Sequence, residues 1–454
     1  MLSILGLAMI LVFIVALSRK KLQVFVALTL VPLVFGTIAC LATGNGVLDV
    51  FTWIQHGVFF KVDPDTGKVA WGVIAPATTI LFSIFYFDLM LNVGLFDPVA
   101  EFFIKKAKGD PLKVIMSTAA VASVVSLNGD TTTTIIICLA AFRALYKQLG
   151  LTLWTLAIVI VAPIGIWNQL PWGGPTIAAA AALHVDLIAL FRQLLPGLLT
   201  AQVVVLVIAY RIGLKERARI HFDPASCESV GPEQIDAMLR AVRDKDPGLK
   251  RPRLFWVNLL LTLGGLTLLI LDLAHGAVVF LLLSALALVI NFPDVDQATD
   301  RIEAIAPDVL PTTIATLGAG VFSGVLTGSG MASALANSIA GAIPTSLGSH
   351  MAPVYAVMAT PAIVFLPQDA FYFGIASVLS GVMEQFGITP MQAAVASMVG
   401  QSFRLISPVI PALYLLCGET EQNFVDFQRK YLRWFWPVLV TYLVVYGLTG
   451  ALPW

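Results

Sequence analysis

Charge is scarce in this chain. Of 454 residues, 12% are Asp, Glu, Lys or Arg, where soluble domains carry about 25%. Apolar residues make up 58%, and the mean hydropathy is +0.89. A cytosolic enzyme is excluded on that ground. Twenty-seven basic residues balance 27 acidic ones, which leaves no basic surface for a nucleic acid. Cysteine is also sparse. Cys40, Cys138, Cys227 and Cys417 stand far apart with no CxxC pair, so there is no disulfide framework, zinc site or redox motif to read. The apolar run from Met1 to Leu17 has no basic residue ahead of it and no small-residue cleavage site after it, and it reads as a first crossing rather than a signal peptide. Arg19, Lys20 and Lys21 follow it and hold that end in the cytoplasm, which places the chain start outside.

What the sequence has in quantity is long apolar runs. Windows at 1–17, 22–43, 71–93, 151–183 and 190–212 predict five crossings in the first half, and windows at 254–272, 276–292, 309–327, 388–416 and 434–452 predict five in the second. Two more apolar segments, 112–142 and 351–383, are cut midway by turn residues. Arms of about four turns reach only about halfway through a bilayer, so these read as re-entrant hairpins. The expectation is an all-α polytopic membrane protein with two repeats of five transmembrane helices. Residues 1–212 and 254–454 form the repeats, each with a re-entrant hairpin and a broken helix (151–183 and 388–416), and the polar segment 213–253 is a cytoplasmic linker. Five is odd, so the second repeat enters from the opposite side: inverted topology, as in secondary transporters. This threading puts 23 of the 27 Lys and Arg on the cytoplasmic face, as the positive-inside rule requires. Lys61, Lys68 and Arg192 lie outside, and Arg404 falls within a helix.

Matched features recur in the two halves. The first hairpin turns at Ser126-Leu127-Asn128-Gly129-Asp130 followed by Thr131 to Thr134, and the second at Leu366-Pro367-Gln368-Asp369. The first broken helix carries Asn168-Gln169-Leu170-Pro171-Trp172-Gly173-Gly174-Pro175-Thr176, and the second Gln401-Ser402-Phe403-Arg404-Leu405-Ile406-Ser407-Pro408. Helices interrupted inside a bilayer free backbone groups that must line a cavity or meet a ligand. Half-helix N-termini then face an anion, while freed carbonyls and Asn or Thr oxygens accept cations. Candidate substrate-binding residues are therefore Asn128, Gly129, Thr131, Thr132, Gly173, Gly174, Pro175, Thr176, Gln368, Gln401, Arg404 and Ser407. Asp130, Asp369, Asn168 and Gln169 are the candidates for proton or cation coupling.

Arg404 is costly within a membrane, and its planar fork suits bidentate capture of a carboxylate. A structural ion pair with Asp130 or Asp369 is the alternative. Asp88 reads equally as a hydrogen-bonded helix carboxyl, and His184, His275 and His350 as interfacial residues. A serine hydrolase built on Ser329 with His350 as base is a distant alternative, because Gly328-Ser329-Gly330 sits where a helix ends. Nothing reads as the selectivity filter of a channel.

The first hairpin with its threonine run, the stretch from Asn92 to Pro98, Lys108-Gly109-Asp110-Pro111-Leu112-Lys113, the Pro171 to Thr176 break and Arg404 to Pro408 together resemble the CitMHS family of citrate-metal:proton symporters, over essentially the whole chain. The resemblance implies the ion-transporter superfamily fold, a homodimer, and an elevator movement in the cell (inner) membrane. It also implies proton-coupled uptake of citrate complexed with a divalent cation of the Mg or Ca type, which enters with the substrate; no cofactor and no metal site of its own are expected. This chain has Asn128 where the family commonly places an acidic residue. The alternative reading is coupled transport of another di- or tricarboxylate without metal.

Overall fold

The computed structural model describes residues 1–19, 21–62, 69–107, 110–129, 131–222, 247–271, 273–341, 343–344, 348 and 350–454. The candidate Asp130 and most of the expected linker lie outside the described residues. The first half runs α1 (Leu2–Ser18), α2 (Val24–Thr43), α3 (Asp49–Val58), an antiparallel pair β1 (Phe60–Val62) and β2 (Val69–Trp71), α4 (Ile74–Asn92), α5 (Asp97–Ala107), α6 (Pro111–Val125), α7 (Thr131–Gln148), α8 (Leu153–Trp167), α9 (Gly174–Leu183) and α10 (Leu187–Arg219). In the second half follow α11 (Phe255–Ile270), α12 (Gly276–Asn291), α13 (Val295–Gly328), α14 (Met331–Ala340), α15 (Met351–Phe365), a π-helical turn (Ala370–Ala376) leading into α16 (Ser377–Glu384), α17 (Pro390–Met398), α18 (Pro411–Glu419) and α19 (Phe424–Leu448). The chain is an all-α polytopic membrane protein; among the described residues the one sheet is the two-stranded pair between α3 and α4.

Local chemistry sets the helix starts. Asp110, Asp186, Asp294 and Asn423 each accept a backbone N–H from the first turn of α6, α10, α13 and α19. Thr389 and Gln392 form a capping box at α17, where Pro390 occupies the first turn. Among the described residues six helices are long and apolar enough to cross a membrane: α2, α4, α10, α11 with the turn before it, α13 and α19. The bent pair Pro390–Ile406 and Pro411–Glu419, at 42°, brings this to seven. The sequence reading expected ten crossings. Leu2–Leu17 and Gly276–Asn291 are shorter apolar helices, and the 151–183 segment is split into Leu153–Trp167 and Gly174–Leu183.

Two packing groups result. Around α13 gather α2, α3 and α4, with α12 on α4. The other group joins α6 to α8 and α10, α7 to α8, α9 and α15 to α17, and α10 to α19. The segment between α2 and α4 gave no signal as a crossing, yet α3 packs closely along α13. Gly57 lies against Gly320 and Gly324, and Trp53 against Gly324 and Gly328. Glycines four residues apart let the two backbones approach. A Cβ on Gly324 would stand 2.3 Å from the Trp53 carbonyl oxygen. Gly324→Val should therefore lower the thermal stability of the detergent-purified protein by about 1–3 kcal/mol, the usual cost of overpacking. Gly264→Val, where a Cβ would meet nothing within 4 Å, should leave the melting temperature in place.

Candidate functional site

The helix interruptions find partners in one another as well as within themselves. In the first hairpin a 3-10 turn, Ser126–Asn128, is closed by Gly129 at φ +83°, a left-handed conformation that glycine adopts freely. The indole N–H of Trp172, in the first break, donates to the Leu127 carbonyl at 2.8 Å. Trp172 in turn stacks on Phe87 of α4 at 3.8 Å between ring centroids. Asn128 thus ends the tip turn, while Thr131 and Thr132 begin α7.

The two breaks also touch. Gln169 is fully buried, and its side-chain N–H groups donate to the Gly165 carbonyl and the Tyr442 hydroxyl, both at 3.2 Å, and reach Ser402 Oγ at 3.5 Å. Ser402 Oγ bonds the Gly165 carbonyl and Tyr442, and Tyr431 donates to the Ser402 carbonyl at 2.9 Å. Gln401 is buried in a comparable way and donates to the Tyr372 hydroxyl at 2.6 Å. Both glutamines keep Oε1 without a hydrogen-bond partner. Asn168 is the C-cap of α8, and a Cβ on Gly173 would fall 1.9 Å from its carbonyl oxygen. Only glycine fits there, so the sequence Gly173-Gly174-Pro175 is what allows α9 to restart so tightly after the break. Thr176 donates to the Gln169 carbonyl at 2.8 Å.

Gln368 and Asp369 form the second hairpin tip. The Gln368 amide lies beside the start of α9, its Nε2 being 3.2 Å from where a Cβ of Gly174 would stand. Gly174, Gln368 and Asp369 line a cavity of about 260 Å³ together with Thr312 and Thr316 of α13 and Gln23 at the start of α2. The sequence reading missed the last three. Pro307 and Pro311 within α13 were the signal that this stretch of helix departs from a plain crossing. In the first turn of α9 Pro175 has no N–H and the Ile177 N–H bonds the Gly173 carbonyl, which leaves Gly174 and Thr176 as the donors without intrahelical partners; a helix start of this kind favours an anion. Arg404, Gln401, Ser407 and Gly129 do not line this cavity.

Arg404 braces the second hairpin from behind. Its Nη1 donates to the carbonyls of Ile363 and Leu366, at 3.2 and 3.4 Å, where α15 ends, and its charge acts on nearby Asp369. Ser407 is fully buried and accepts the Val409 N–H at 3.2 Å. The Ser329 hydroxyl is engaged with the Leu326 carbonyl and the Met331 N–H, as a helix-ending turn requires and a nucleophile does not. Near the end of α7, Arg143 and Lys147 pair with Glu419 and Glu421. The Lys147 hydrogen bond and charge, with Arg143, hold the Glu421 carboxyl below its ordinary range.

If Arg404 supports the tip, Arg404→Ala should destabilise even the ligand-free protein, by about 1.5–3 kcal/mol for lost hydrogen bonds from a charged group, and Arg404→Lys should recover part of it. Thermal unfolding of the purified variants measures this; a guanidinium serving only the substrate would leave ligand-free stability unaltered.

Residues 3–400 match the model of the CitMHS family, described as citrate transporters. The chain is 35% identical over 434 residues to a citrate transporter of Bacillus subtilis (strain 168), covering 96% of this chain and 95% of that one. It is 33% identical over 453 residues to the Mg(2+)/citrate complex secondary transporter of the same organism, covering 100% and 99%. Among solved structures it resembles the YdaH transporter of Alcanivorax borkumensis with a TM-score of 0.59 at 16% identity, over 92% of this chain and 98% of that one, a likeness of fold. Transport and not hydrolysis is the business of such relatives, and on its motifs, its fold and these matches the chain belongs to the CitMHS family of citrate transporters.

Proposed function

We propose that this chain is a secondary transporter that takes up citrate complexed with a divalent cation, driven by proton symport, through an elevator-type movement in the cell membrane. One observation carries the reading: the start of α9, the Gln368–Asp369 tip and the Thr312–Thr316 face of α13 meet around one cavity. The first turn of α9 supplies N–H groups and a positive dipole end for carboxylates. Gln368, Thr312 and Thr316 supply neutral donors and acceptors for the remaining citrate oxygens. In this reading Asp369 carries a proton with the substrate. Citrate chelates a divalent cation through its own oxygens, so the cation travels as cargo, as the name of the Mg(2+)/citrate relative suggests. Gln169 and Gln401, each with an unmatched buried oxygen, are the further candidates for the coupling ion.

Inverted repeats and alternating access are part of the same proposal. Apart from α3 and the β1–β2 pair, which have no counterpart, the helices from α1 to α10 can be matched in order to those from α11 to α19, and the packing of α2 on α13 corresponds to the packing of α12 on α4. Exchanging the halves turns one contact into the other, which supports a two-fold relation. The α13 group would then be the fixed scaffold, and the hairpins with α8, α9, α17 and α18 the moving body, in a homodimer with both termini outside.

Proteoliposomes test the transport reading. Labelled citrate should accumulate under an inward proton gradient, more so with Mg²⁺ present, and Asp369→Asn should abolish accumulation while sparing citrate exchange. Accumulation that ignores the gradient would remove proton symport. For the orientation, a cysteine at Asn45 in a cysteine-free chain should react with an impermeant thiol reagent on intact cells and one at Asp296 should not. The reverse pattern would invert the threading.

A further inference from the structure

Three elements that wall the cavity described above also wall a second one, of about 550 Å³, at their outer ends. On α9 the walls pass from Gly174 and Ala178 to Leu183 and His184; on the return arm of the second hairpin, from Phe373 to Ser377 and Ser380. On α13 they pass from Thr312 and Thr316 to Ser323 and Thr327. All three elements run the same way between the levels.

The pattern on α13 is a repeat. Thr312 and Thr316 are a hydroxyl pair four residues apart, and Ser323 and Thr327 are another, displaced by eleven residues. In one continuous α-helix, eleven residues make three turns to within about 20°, so the pairs share a face and stand about 16 Å apart along the axis. Thr316 and Ser323 donate to carbonyls of their own helix, Thr312 at 2.9 Å and Gly320 at 3.4 Å. Their oxygen lone pairs remain for a ligand. Between the levels α9 is an unbroken alanine run from Ala178 to Ala182, a smooth surface against its neighbours.

We infer that the outer cavity is a second station for the same carboxylate substrate, and that α13 is a rail whose two hydroxyl pairs receive it in turn as α9 and the hairpin move along it. This rests on the elevator reading above and specifies it: a stroke of about 16 Å, and matched hydroxyl contacts from α13 at both ends. The rail itself offers only neutral hydroxyls, and the elements facing it add one carboxylate at each level, Asp369 at the inner and Glu384 at the outer, so neither level holds the substrate by a charge the other lacks. Equal contacts keep the two states close in free energy, as a reversible cycle requires.

Paired cysteines in a cysteine-free chain, reconstituted in vesicles, test the rail. Ala178→Cys with Thr316→Cys joins residues of one cavity and should link with a short bis-maleimide. Ala178→Cys with Thr327→Cys should also link, severalfold faster when external citrate and a proton gradient drive turnover. Phe373→Cys paired with the same two sites gives a second, independent reading. Linkage to residue 316 but never to residue 327 from either partner, in vesicles that accumulate citrate, would refute the rail and leave the transport function standing. Linkage to residue 327 without citrate uptake would support the rail and refute the choice of substrate.

Discussion

A helix that stops inside a bilayer exposes backbone groups that have no water to meet them, at a cost of several kcal/mol each. The second half of this chain and the first both contain such stops, at a hairpin tip and at a break, and the structure is organised by how their ends are answered. Trp172 answers the carbonyl of Leu127, Thr176 that of Gln169, Tyr431 that of Ser402, and Arg404 those of Ile363 and Leu366. Nearly every answer comes from a different interruption or from the long helix α19. The ends therefore converge because each supplies what another lacks.

Function follows from the end that opens on space. The first turn of α9 faces a cavity whose other walls are a hairpin tip and the long helix α13 of the other packing group. An anion seated there would complete the backbone satisfaction that the protein carries out elsewhere with side chains. Arg404 fits the same logic. The cost of a guanidinium in the membrane is offset by two carbonyls at a helix C-terminus and a nearby carboxylate, so it shapes the tip and need not touch a substrate.

The sequence made the interruptions legible because Gly and Pro punctuate them: Gly173-Gly174-Pro175 marks the restart of α9, and Leu366-Pro367-Gln368-Asp369 the second tip. Gln169 and Gln401 were visible as amides in apolar surroundings, but their tyrosine partners were not, since Tyr442 lies 273 residues from Gln169 and chain order carries no trace of that contact. Thr312 and Thr316 went unnoticed for a similar reason: threonines on an apolar helix read as filler until a cavity opens beside them. The α3 segment escaped detection because its ten residues are too short to cross, and its glycine contact with α13 is long-range. Arg404 stood out by its cost alone, which indicates that compensation exists without saying whether protein or ligand provides it.

The central claim is that citrate binds at the start of α9, against the second hairpin. Calorimetric titration of the purified protein with citrate and Mg²⁺, repeated on Gly174→Val and Thr312→Val, addresses it most directly. A side chain at position 174 presses on the Gln368 amide, and valine at 312 keeps the shape of threonine while removing its hydroxyl. The account predicts at least about a tenfold loss of affinity in each, about 1.4 kcal/mol, with ligand-free melting temperatures unchanged. Unaltered citrate affinity in both variants would contradict it and place the substrate elsewhere in the molecule.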